Sequence, residues 1–246
     1  KIFLAETGIK KDPGESQNFL EIGCGLGVVT SFAHKHLRGD AVGVDLSGAV
    51  WKAAEHFRDN PFLHFVQASL WNLPFRKSSF DMIYSHGVLH HTFSTEEAFQ
   101  AISRFSADRG TLYIWIYGMG SIKDDIFRKA AWLLERFLRP VLSRIPSGMA
   151  NIILAPLAAT YIVVNRIQRI RGLSRQPYNF NRALHAVRDR FTPLYAHRTT
   201  GEEAASWFRK QNFDNIEFLK PESIPEGIQD TFRRNVGIRG RKMKNP

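Results

Sequence analysis

The feature that most constrains this chain is a glycine-rich turn, Glu-Ile-Gly-Cys-Gly-Leu-Gly, at residues 21–27. It follows an apolar run at residues 19–22 and precedes residues 28–37, whose apolar spacing predicts a helix. Glycines permit a tight turn and let a ligand approach bare backbone, while the first N–H groups of the helix can bind a ligand carboxylate. A dinucleotide site would need a small residue where Val28 stands, so the turn disfavours a nicotinamide or flavin cofactor.

Downstream of this turn, apolar β-rich runs alternate with helical patterns as far as residue 117. Ser47 and Ser94 are candidate helix caps between these runs. Strands separated by helices of 10–15 residues imply right-handed crossovers and a parallel, doubly wound sheet. Asp45 ends the second strand, where an acid can accept hydrogen bonds from both hydroxyls of a ribose. Further strands are predicted at residues 41–44, 62–66, 80–85 and 110–117.

The last half of the chain changes character. Residues 118–190 are helical in pattern, with Pro140 as a predicted stop of the first helix. Thr200 and Glu203 then form a capping-box pattern ahead of another helix. Two closing strands are predicted at 213–219 and 231–239, followed by a frayed arginine-rich tail.

These patterns predict an α/β fold: a doubly wound, mostly parallel sheet of seven strands with a helical insertion. We divide it into a cofactor-binding core at 1–117, a helical insertion or lid at 118–190, and the C-terminal helix and closing strands of the same domain at 191–246. The chain begins with Lys1 rather than methionine, so we expect a fragment or a trimmed chain.

Charge and cysteine content limit the partners and the compartment. The net charge is +11, and residues 118–200 hold 14 lysines and arginines against 4 acids, so the excess lies in one third of the chain. Such a segment is either a solvated helix surface or a site for an anionic partner: a phosphorylated substrate, a lipid headgroup or nucleic acid. Cys24 is the single cysteine, which excludes an intrachain disulfide and favours the cytoplasm.

Four motifs in order carry a family resemblance. They are Leu-Glu-Ile-Gly-Cys-Gly-Leu-Gly at 20–27, Val-Gly-Val-Asp-Leu-Ser at 42–47, Asn-Leu-Pro-Phe at 72–75, and Phe-Asp-Met-Ile-Tyr-Ser-His-Gly-Val-Leu-His-His at 80–91. Over residues 17–117 the chain resembles the class I S-adenosylmethionine-dependent methyltransferases of the small-molecule type. The resemblance implies a Rossmann-like core, S-adenosylmethionine as cofactor and a small-molecule acceptor.

The resemblance also implies a set of cofactor contacts. Glu21 would orient the methionine amino end, Asp45 would take the ribose hydroxyls, and Leu46 would pack on the adenine. Ser69 stands where many members carry an acid, which leaves its contact with the adenine amino group in doubt. The full set of implied cofactor-binding residues is Glu21, Gly23, Gly25, Gly27, Asp45, Leu46, Ser69, Leu70 and Ser85.

Histidines are the candidates for a base, which is needed only where the acceptor must lose a proton. His86 would lie beside the sulfonium, and His90 and His91 follow closely; all three could equally be structural. Tyr195 and His197 are further candidates. The three clustered histidines lack the cysteines and acids that would complete a zinc site, so no metal is expected.

Residues 145–165 contain no charged residue and are interrupted by Pro146, Gly148 and Pro156. This segment could be a helical lid over the acceptor, an interfacial helix on anionic lipid, or a membrane span. We expect a lipophilic or aromatic acceptor, and the candidate lining residues are Trp115, Tyr117, Trp132, Tyr161 and Tyr178.

Two other functions remain open: a nucleic-acid methyltransferase that uses the basic segment, and a non-catalytic S-adenosylmethionine-binding module. The run after the fourth strand, Ser-His-Gly-Val, is unlike the Asn/Asp-Pro-Pro-aromatic run of base-amino methyltransferases, so nucleic acid is the less favoured partner. The oligomeric state is left open.

Overall fold

The computed structural model describes residues 2–9, 16–119, 126–170, 177–225 and 229–244. Its strands, in chain order, are β1 (Gln17–Ile22), β2 (Arg38–Asp45), β3 (Leu63–Gln67), β4 (Phe80–His86), β5 (Ser106–Ile116), β6 (Phe213–Phe218) and β7 (Val236–Lys242). They form one seven-stranded sheet in the order β3-β2-β1-β4-β5-β7-β6. The first five strands are parallel, and β7 runs antiparallel to β5 and β6. The predicted seven-stranded, mostly parallel sheet is confirmed.

Helices connect the strands and cover both faces of the sheet. They are α1 (Ile2–Thr7), α2 (Val28–Leu37), α3 (Ala49–His56), α4 (Thr95–Ser103), α5 (Ile126–Leu142), α6 (Ser147–Ile170), α7 (Phe180–Phe191), α8 (Gly201–Lys210) and α9 (Gln229–Arg234). The helix predicted at 28–37 has the observed bounds, and the capping box of Thr200 and Glu203 starts α8.

Strand order reverses at β1, because β2 and β3 lie on one side of it while β4 and β5 lie on the other. The carboxyl ends of β1 and β4 therefore flank a topological switch point, which is where open α/β sheets bind ligands. Every residue predicted to act on the cofactor lies at or just beyond the carboxyl end of β1, β2, β3 or β4.

Pro140 does not end α5; that prediction was wrong. The helix continues to Leu142, and Pro140 occupies its last turn. Proline removes one main-chain hydrogen bond, but packing on either side of it holds the helix. Arg139 and Leu142 are both buried, and Leu142 joins a small apolar core with α6 and α7. That core consists of Leu142, Leu154, Ala158, Ala183, Val187 and Phe191.

The closing strand predicted at 231–239 was also wrong in its first half. Residues Gln229–Arg234 form α9, because Phe232 is buried against the rings of His86 and Trp115. The strand starts at Val236, and the arginine-rich tail pairs as far as Lys242 rather than fraying. Arg241 and Lys242 donate hydrogen bonds to backbone carbonyls of Arg109 and Gln211, which holds this tail in the sheet.

Helices α5, α6 and α7 lie between β5 and α8 in the chain, and the two points where they leave and rejoin the sheet are neighbours. Gly118 and Thr199 form a parallel β-bridge. The N–H of Thr199 donates to the carbonyl of Tyr117 at 3.0 Å, and the N–H of Met119 donates to the carbonyl of Thr199 at 3.1 Å. The domain limits of 117/118 and 190/191 stay a prediction.

A buried acid joins α5 to α7 and to the segment before α8. Glu135 is 1% exposed and forms ion pairs with Arg190, with Arg139 at 3.4 Å and with Arg198 at 3.6 Å. Three cations around one buried carboxylate compensate for its desolvation. Tyr117 at the end of β5 donates a hydrogen bond to Asp189 of α7, so the helical segment is also fixed to the sheet.

Candidate cofactor and acceptor site

The turn after β1 has the backbone that its glycines predict. Gly23, Gly25 and Gly27 have φ values of +80°, +52° and +74°. A Cβ on Gly23 would lie 2.2 Å from Val88, and one on Gly27 would lie 2.3 Å from Phe65, so both glycines are required by packing. A Cβ on Gly25 would meet no atom within 4 Å, so Gly25 presents bare backbone on the open side of the turn.

Asp45 at the end of β2 is tied to this turn. Its Oδ2 accepts a hydrogen bond from the N–H of Gly25 at 2.9 Å, and its Oδ1 accepts from the N–H and the hydroxyl of Ser47 at 2.8 and 2.7 Å. A carboxylate has about four acceptor sites, so capacity remains for a ribose hydroxyl. The structure thus brings the glycine turn and the predicted ribose acid into direct contact.

The loops that follow β2 and β3 adjoin the same site. Leu46 is 73% exposed next to Asp45, so an aromatic ring could cover it. The amide of Gln67 donates to the carbonyl of Leu46 at 3.1 Å, which joins the two loops. Ser69 and Leu70 are half-buried just beyond β3, and the Ser69 hydroxyl accepts from the N–H of Trp71 at 3.4 Å. The roles of Leu46, Ser69 and Leu70 towards an adenine stay predictions.

Glu21 is buried beneath the turn and accepts a hydrogen bond from the Thr30 hydroxyl at 2.5 Å. Burial raises the pKa of Glu21 from 4.5 to about 8, against the opposing effect of that hydrogen bond. A neighbouring cation favours the charged form of an acid. The methionine amino end of the cofactor fits such a carboxyl, because it supplies the positive charge that burial otherwise makes unfavourable.

Replacing Glu21 by glutamine is expected to flatten the dependence of stability on pH. Between pH 4.5 and about 8 the folded chain keeps a proton on Glu21 that the unfolded chain has released, so the free energy of unfolding falls as the pH rises. At about 1.36 kcal/mol per pKa unit, that fall is on the order of 5 kcal/mol.

Urea unfolding of the cofactor-free protein at about pH 5 and about pH 9 measures this difference. The matched control is Glu55→Gln on α3, an exposed position. An equal loss of stability in the wild type and in Glu21→Gln would contradict the raised pKa of Glu21.

The register of the sheet separates the predicted site residues onto two faces. Glu21 pairs with Tyr84, and His86 pairs with Trp115, so alternation puts Glu21, His86 and Trp115 on one face. Ser85 pairs with Ile22 and lies on the opposite face. A contact between Ser85 and the cofactor, as the resemblance implies, would therefore use its main chain rather than its hydroxyl.

His86 forms a pair that the motifs did not reveal. Its Nδ1 lies 2.9 Å from Oε1 of Glu6, a fully buried acid on α1. Glu6 also accepts hydrogen bonds from the hydroxyls of Tyr84 at 2.7 Å and Tyr113 at 2.9 Å, which fix its carboxyl. The His86 ring stacks on Trp115 with centroids 4.6 Å apart. An acid that binds one nitrogen of a histidine leaves the other nitrogen to act as a base.

One local feature points to this pair: Glu6 is the single charged residue in the apolar run at residues 2–9. Its partner lies 80 residues away in the chain, and hydrophobic spacing cannot show which strands a short helix will cover.

His90 and His91 form a second pair of histidines beside Tyr117, with Nε2 of His91 3.6 Å from Asp189 of α7. His90 is 1% exposed and stacks on Tyr117 at 3.9 Å, and burial lowers its pKa well below the usual value, so the ring is neutral. Neither of its ring nitrogens has a hydrogen-bond partner among the described residues. The Nδ1 of His91 donates to the carbonyl of Tyr195 at 2.9 Å. These contacts favour a structural role for both histidines.

The remaining candidates lie at the end of β5, in the helical segment and in the segment before α8. The N–H of His197 donates to the carbonyl of His90, and the rings of Tyr195 and His197 stack near the surface. Trp115 and Tyr117 adjoin His86 and His90, but Tyr161 and Tyr178 pack in the small core of α6 and α7. In the described part of the chain, no three His, Cys, Asp or Glu side chains converge as metal ligands would.

Comparisons with known proteins identify the kind of domain that contains this site. Residues 20–114 match the family model described as a methyltransferase domain. A protein from Synechococcus sp., described as uncharacterized, is 32% identical over 122 residues, which are 47% of this chain and 29% of that protein. The chain therefore spans less than a third of the length of this curated relative.

Two solved structures share the fold over nearly their whole length. The YcgJ protein from Bacillus subtilis superposes with a TM-score of 0.56 at 14% identity, covering 99% of this chain and 98% of YcgJ. An S-adenosylmethionine-dependent methyltransferase from Mesorhizobium loti gives a TM-score of 0.54 at 15% identity, covering 93% and 92%.

The order of the strands, the site at the switch point and the match to the family model together define the class of protein. Residues 20–114 are a methyltransferase domain. More particularly, the domain has the fold and the motifs of the class I methyltransferases, whose cofactor is S-adenosylmethionine. The family resemblance of the four sequence motifs is confirmed. Three features fit that cofactor. The glycine turn offers open backbone, Asp45 can accept a hydrogen bond from a ribose hydroxyl, and the buried acid Glu21 suits the charged amino end of the methionine.

Proposed function

We propose that this chain transfers the methyl group of S-adenosylmethionine to a small lipophilic or aromatic acceptor, with His86 as the base. The observation that carries the proposal is the His86–Glu6 pair, which lies on the same face of the sheet as Glu21 and at the end of the strand beside it. A cofactor held by Glu21 and the glycine turn would place its reactive end towards the end of β4.

The cofactor supplies an electrophilic methyl group on a sulfonium that is already a good leaving group. The chain must therefore align the acceptor and receive its proton. Because a carboxyl oxygen of Glu6 accepts from Nδ1 of His86, we assign the ring proton to Nδ1. Nε2 then carries the lone pair that takes the proton of an acceptor hydroxyl or amine as the new bond to carbon forms.

The surroundings of His86 support an apolar acceptor. Its ring is stacked on Trp115, and Tyr117 follows with its ring centroid 6.0 Å from Trp115. Flat aromatic surfaces favour planar or lipophilic molecules over sugars or phosphates. The helices α5 to α7 would act as a lid over such an acceptor, since they are anchored beside Tyr117 through Asp189.

A transfer assay tests the proposal. The purified chain is incubated with S-adenosylmethionine carrying an isotopically labelled methyl group and with separate lipid, quinone, aromatic and nucleic-acid pools. We expect the label in a small apolar product, and stoichiometric release of S-adenosylhomocysteine, as seen by mass spectrometry. Label in nucleic acid would overturn the assignment of the acceptor. Cofactor binding without label in any pool would favour a non-catalytic module.

We also propose a cytoplasmic location. Support comes from Cys24, the single cysteine, which is a free and buried thiol whose pKa burial raises to about 12. Such a thiol takes no part in disulfide exchange, and a free cysteine without a disulfide is typical of proteins in a reducing compartment.

A further inference from the structure

Helix α6 carries an exposed apolar stripe along its whole length. Consecutive members are one or three positions apart, in a pattern that keeps them on one side of the helix. The most exposed are Ile152 at 76% and Ile170 at 82%. We call this surface the apolar stripe; it consists of Met149, Ile152, Ile153, Pro156, Ala159, Thr160, Val163, Val164, Ile167 and Ile170.

The stripe contains one polar side chain, and that side chain is already satisfied. The hydroxyl of Thr160 donates to the carbonyl of Pro156 in the preceding turn at 3.1 Å. The stripe therefore offers no group that needs water. A helix of 24 residues is about 36 Å long, so this surface is far larger than the scattered exposed side chains of an ordinary soluble protein.

The opposite side of α6 is already occupied. Ala150, Leu154 and Ala158 are buried, and the last two pack with Ala183 and Val187 of α7. Helix α7 is in turn held by the Glu135 ion-pair cluster and by the hydrogen bond between Asp189 and Tyr117. The orientation of α6 is thereby fixed, and the described residues leave the stripe uncovered.

A second exposed apolar row lies on α5. Its members again share one side of the helix: Leu133, Leu134, Phe137, Leu138 and Val141. The apolar surface of the helical segment is therefore not confined to one helix.

The positive charge around the stripe indicates what kind of surface would cover it. The sequence from 126 to 170 contains one acid, Glu135, and the structure buries it among arginines. Exposed arginines flank the apolar rows: Arg136, Arg144, Arg166 and Arg169. A basic rim around an apolar face complements an anionic lipid surface. A second copy of the same face would bring like charges together, so it fits less well.

The stripe suits a helix that lies in the membrane surface better than one that crosses the membrane. Residues Gly148–Ile167 are long and apolar enough to span a bilayer by length and composition, and 22% of that segment is buried. Spanning would carry the packed face of α7 into the hydrocarbon, including Arg182 and the ion-paired Arg190. A helix at the interface buries only the stripe and leaves these arginines in water.

We propose that the apolar stripe of α6 docks on an anionic phospholipid membrane. Docking needs no catalytic step, so it goes beyond the proposed methyl transfer and can be tested without an acceptor. It also places the helical segment where lipophilic acceptors reside.

Co-sedimentation with vesicles tests the docking. The purified chain is mixed with phosphatidylglycerol vesicles and, separately, with phosphatidylcholine vesicles, at low and at high salt. We expect binding to the anionic vesicles that salt weakens, because screening reduces the attraction between arginines and headgroups. Absence of binding to anionic vesicles at low salt would overturn the proposal.

Two variants locate the binding surface. The double variant Ile152→Glu/Val163→Glu places acids on the stripe and is expected to weaken vesicle binding about ten-fold or more. The control Leu194→Glu changes a residue that is 51% exposed outside the stripe and should bind like the wild type.

Circular dichroism and affinity for S-adenosylmethionine show that each variant is folded. A folded stripe variant that binds vesicles as the wild type does would overturn the assignment. Light scattering that shows a wild-type dimer, lost in the stripe variant, would assign the surface to a second copy instead.

Discussion

Replacing His86 by alanine is expected to lower kcat by a factor of about 10² to 10⁴, the usual contribution of a general base. The expectation rests on the contact of Nδ1 with Glu6, which leaves Nε2 as the ring nitrogen that can accept a proton. Affinity for S-adenosylmethionine should change much less than kcat, because Glu21, the glycine turn and Asp45 are untouched. Rates are measured by transfer of a labelled methyl group to the acceptor found in the product screen.

The control for this variant is His64→Ala, which removes an exposed histidine paired with Asp40 at 2.9 Å on the far edge of the sheet. It should retain wild-type kcat. A second variant, Glu6→Gln, tests the positioning role of Glu6: we expect a smaller fall in kcat and a changed pH–rate profile. If His86→Ala keeps kcat near the wild-type value, the acceptor loses its proton elsewhere and the assignment of the base is wrong.

Replacing Asp45 by alanine is expected to weaken binding of S-adenosylmethionine about 100-fold. Hydrogen bonds to a charged group contribute about 1.5–3 kcal/mol each, and tenfold in affinity corresponds to about 1.4 kcal/mol. Asp45 also holds the N–H of Gly25 at 2.9 Å, so alanine releases the turn as well as the ribose. Calorimetric titration measures the change in affinity.

Two matched variants separate these effects. Asp45→Asn keeps an oxygen that can accept from Gly25 and should lose less affinity than alanine. Ser47→Ala removes only the hydroxyl that donates to Oδ1 of Asp45 and should bind the cofactor nearly as the wild type does. Unchanged affinity in Asp45→Ala would show that the cofactor's sugar lies elsewhere.

The cofactor half of the site could be predicted because its determinants are local. The glycines, the start of α2 and the acid at the end of β2 lie within 25 residues, and each follows from backbone sterics or from strand ends meeting at one edge. The parallel part of the sheet could also be predicted, because the alternation of strands with helices of 10–15 residues is a local pattern.

Other parts of the site depend on distant contacts and could not be predicted. The partner of His86 comes from α1, whose packing against Tyr84 and Tyr113 is set by the tertiary fold. The side on which Ser85 lies depends on strand register, because a shift of one residue exchanges the two faces. The helix at Gln229–Arg234 forms because Phe232 finds a buried place beside Trp115.

The β-bridge between Gly118 and Thr199 has a consequence for evolution and for engineering. The points at which the chain leaves and returns to the sheet are already in contact. The intervening helices therefore form an insertion whose two ends are held at fixed, adjacent positions. This insertion could be exchanged for one from a related enzyme if the ends of the new insertion lie equally close together. Acceptor specificity and location in the cell could then diverge among relatives while the cofactor-binding part of the fold is unchanged.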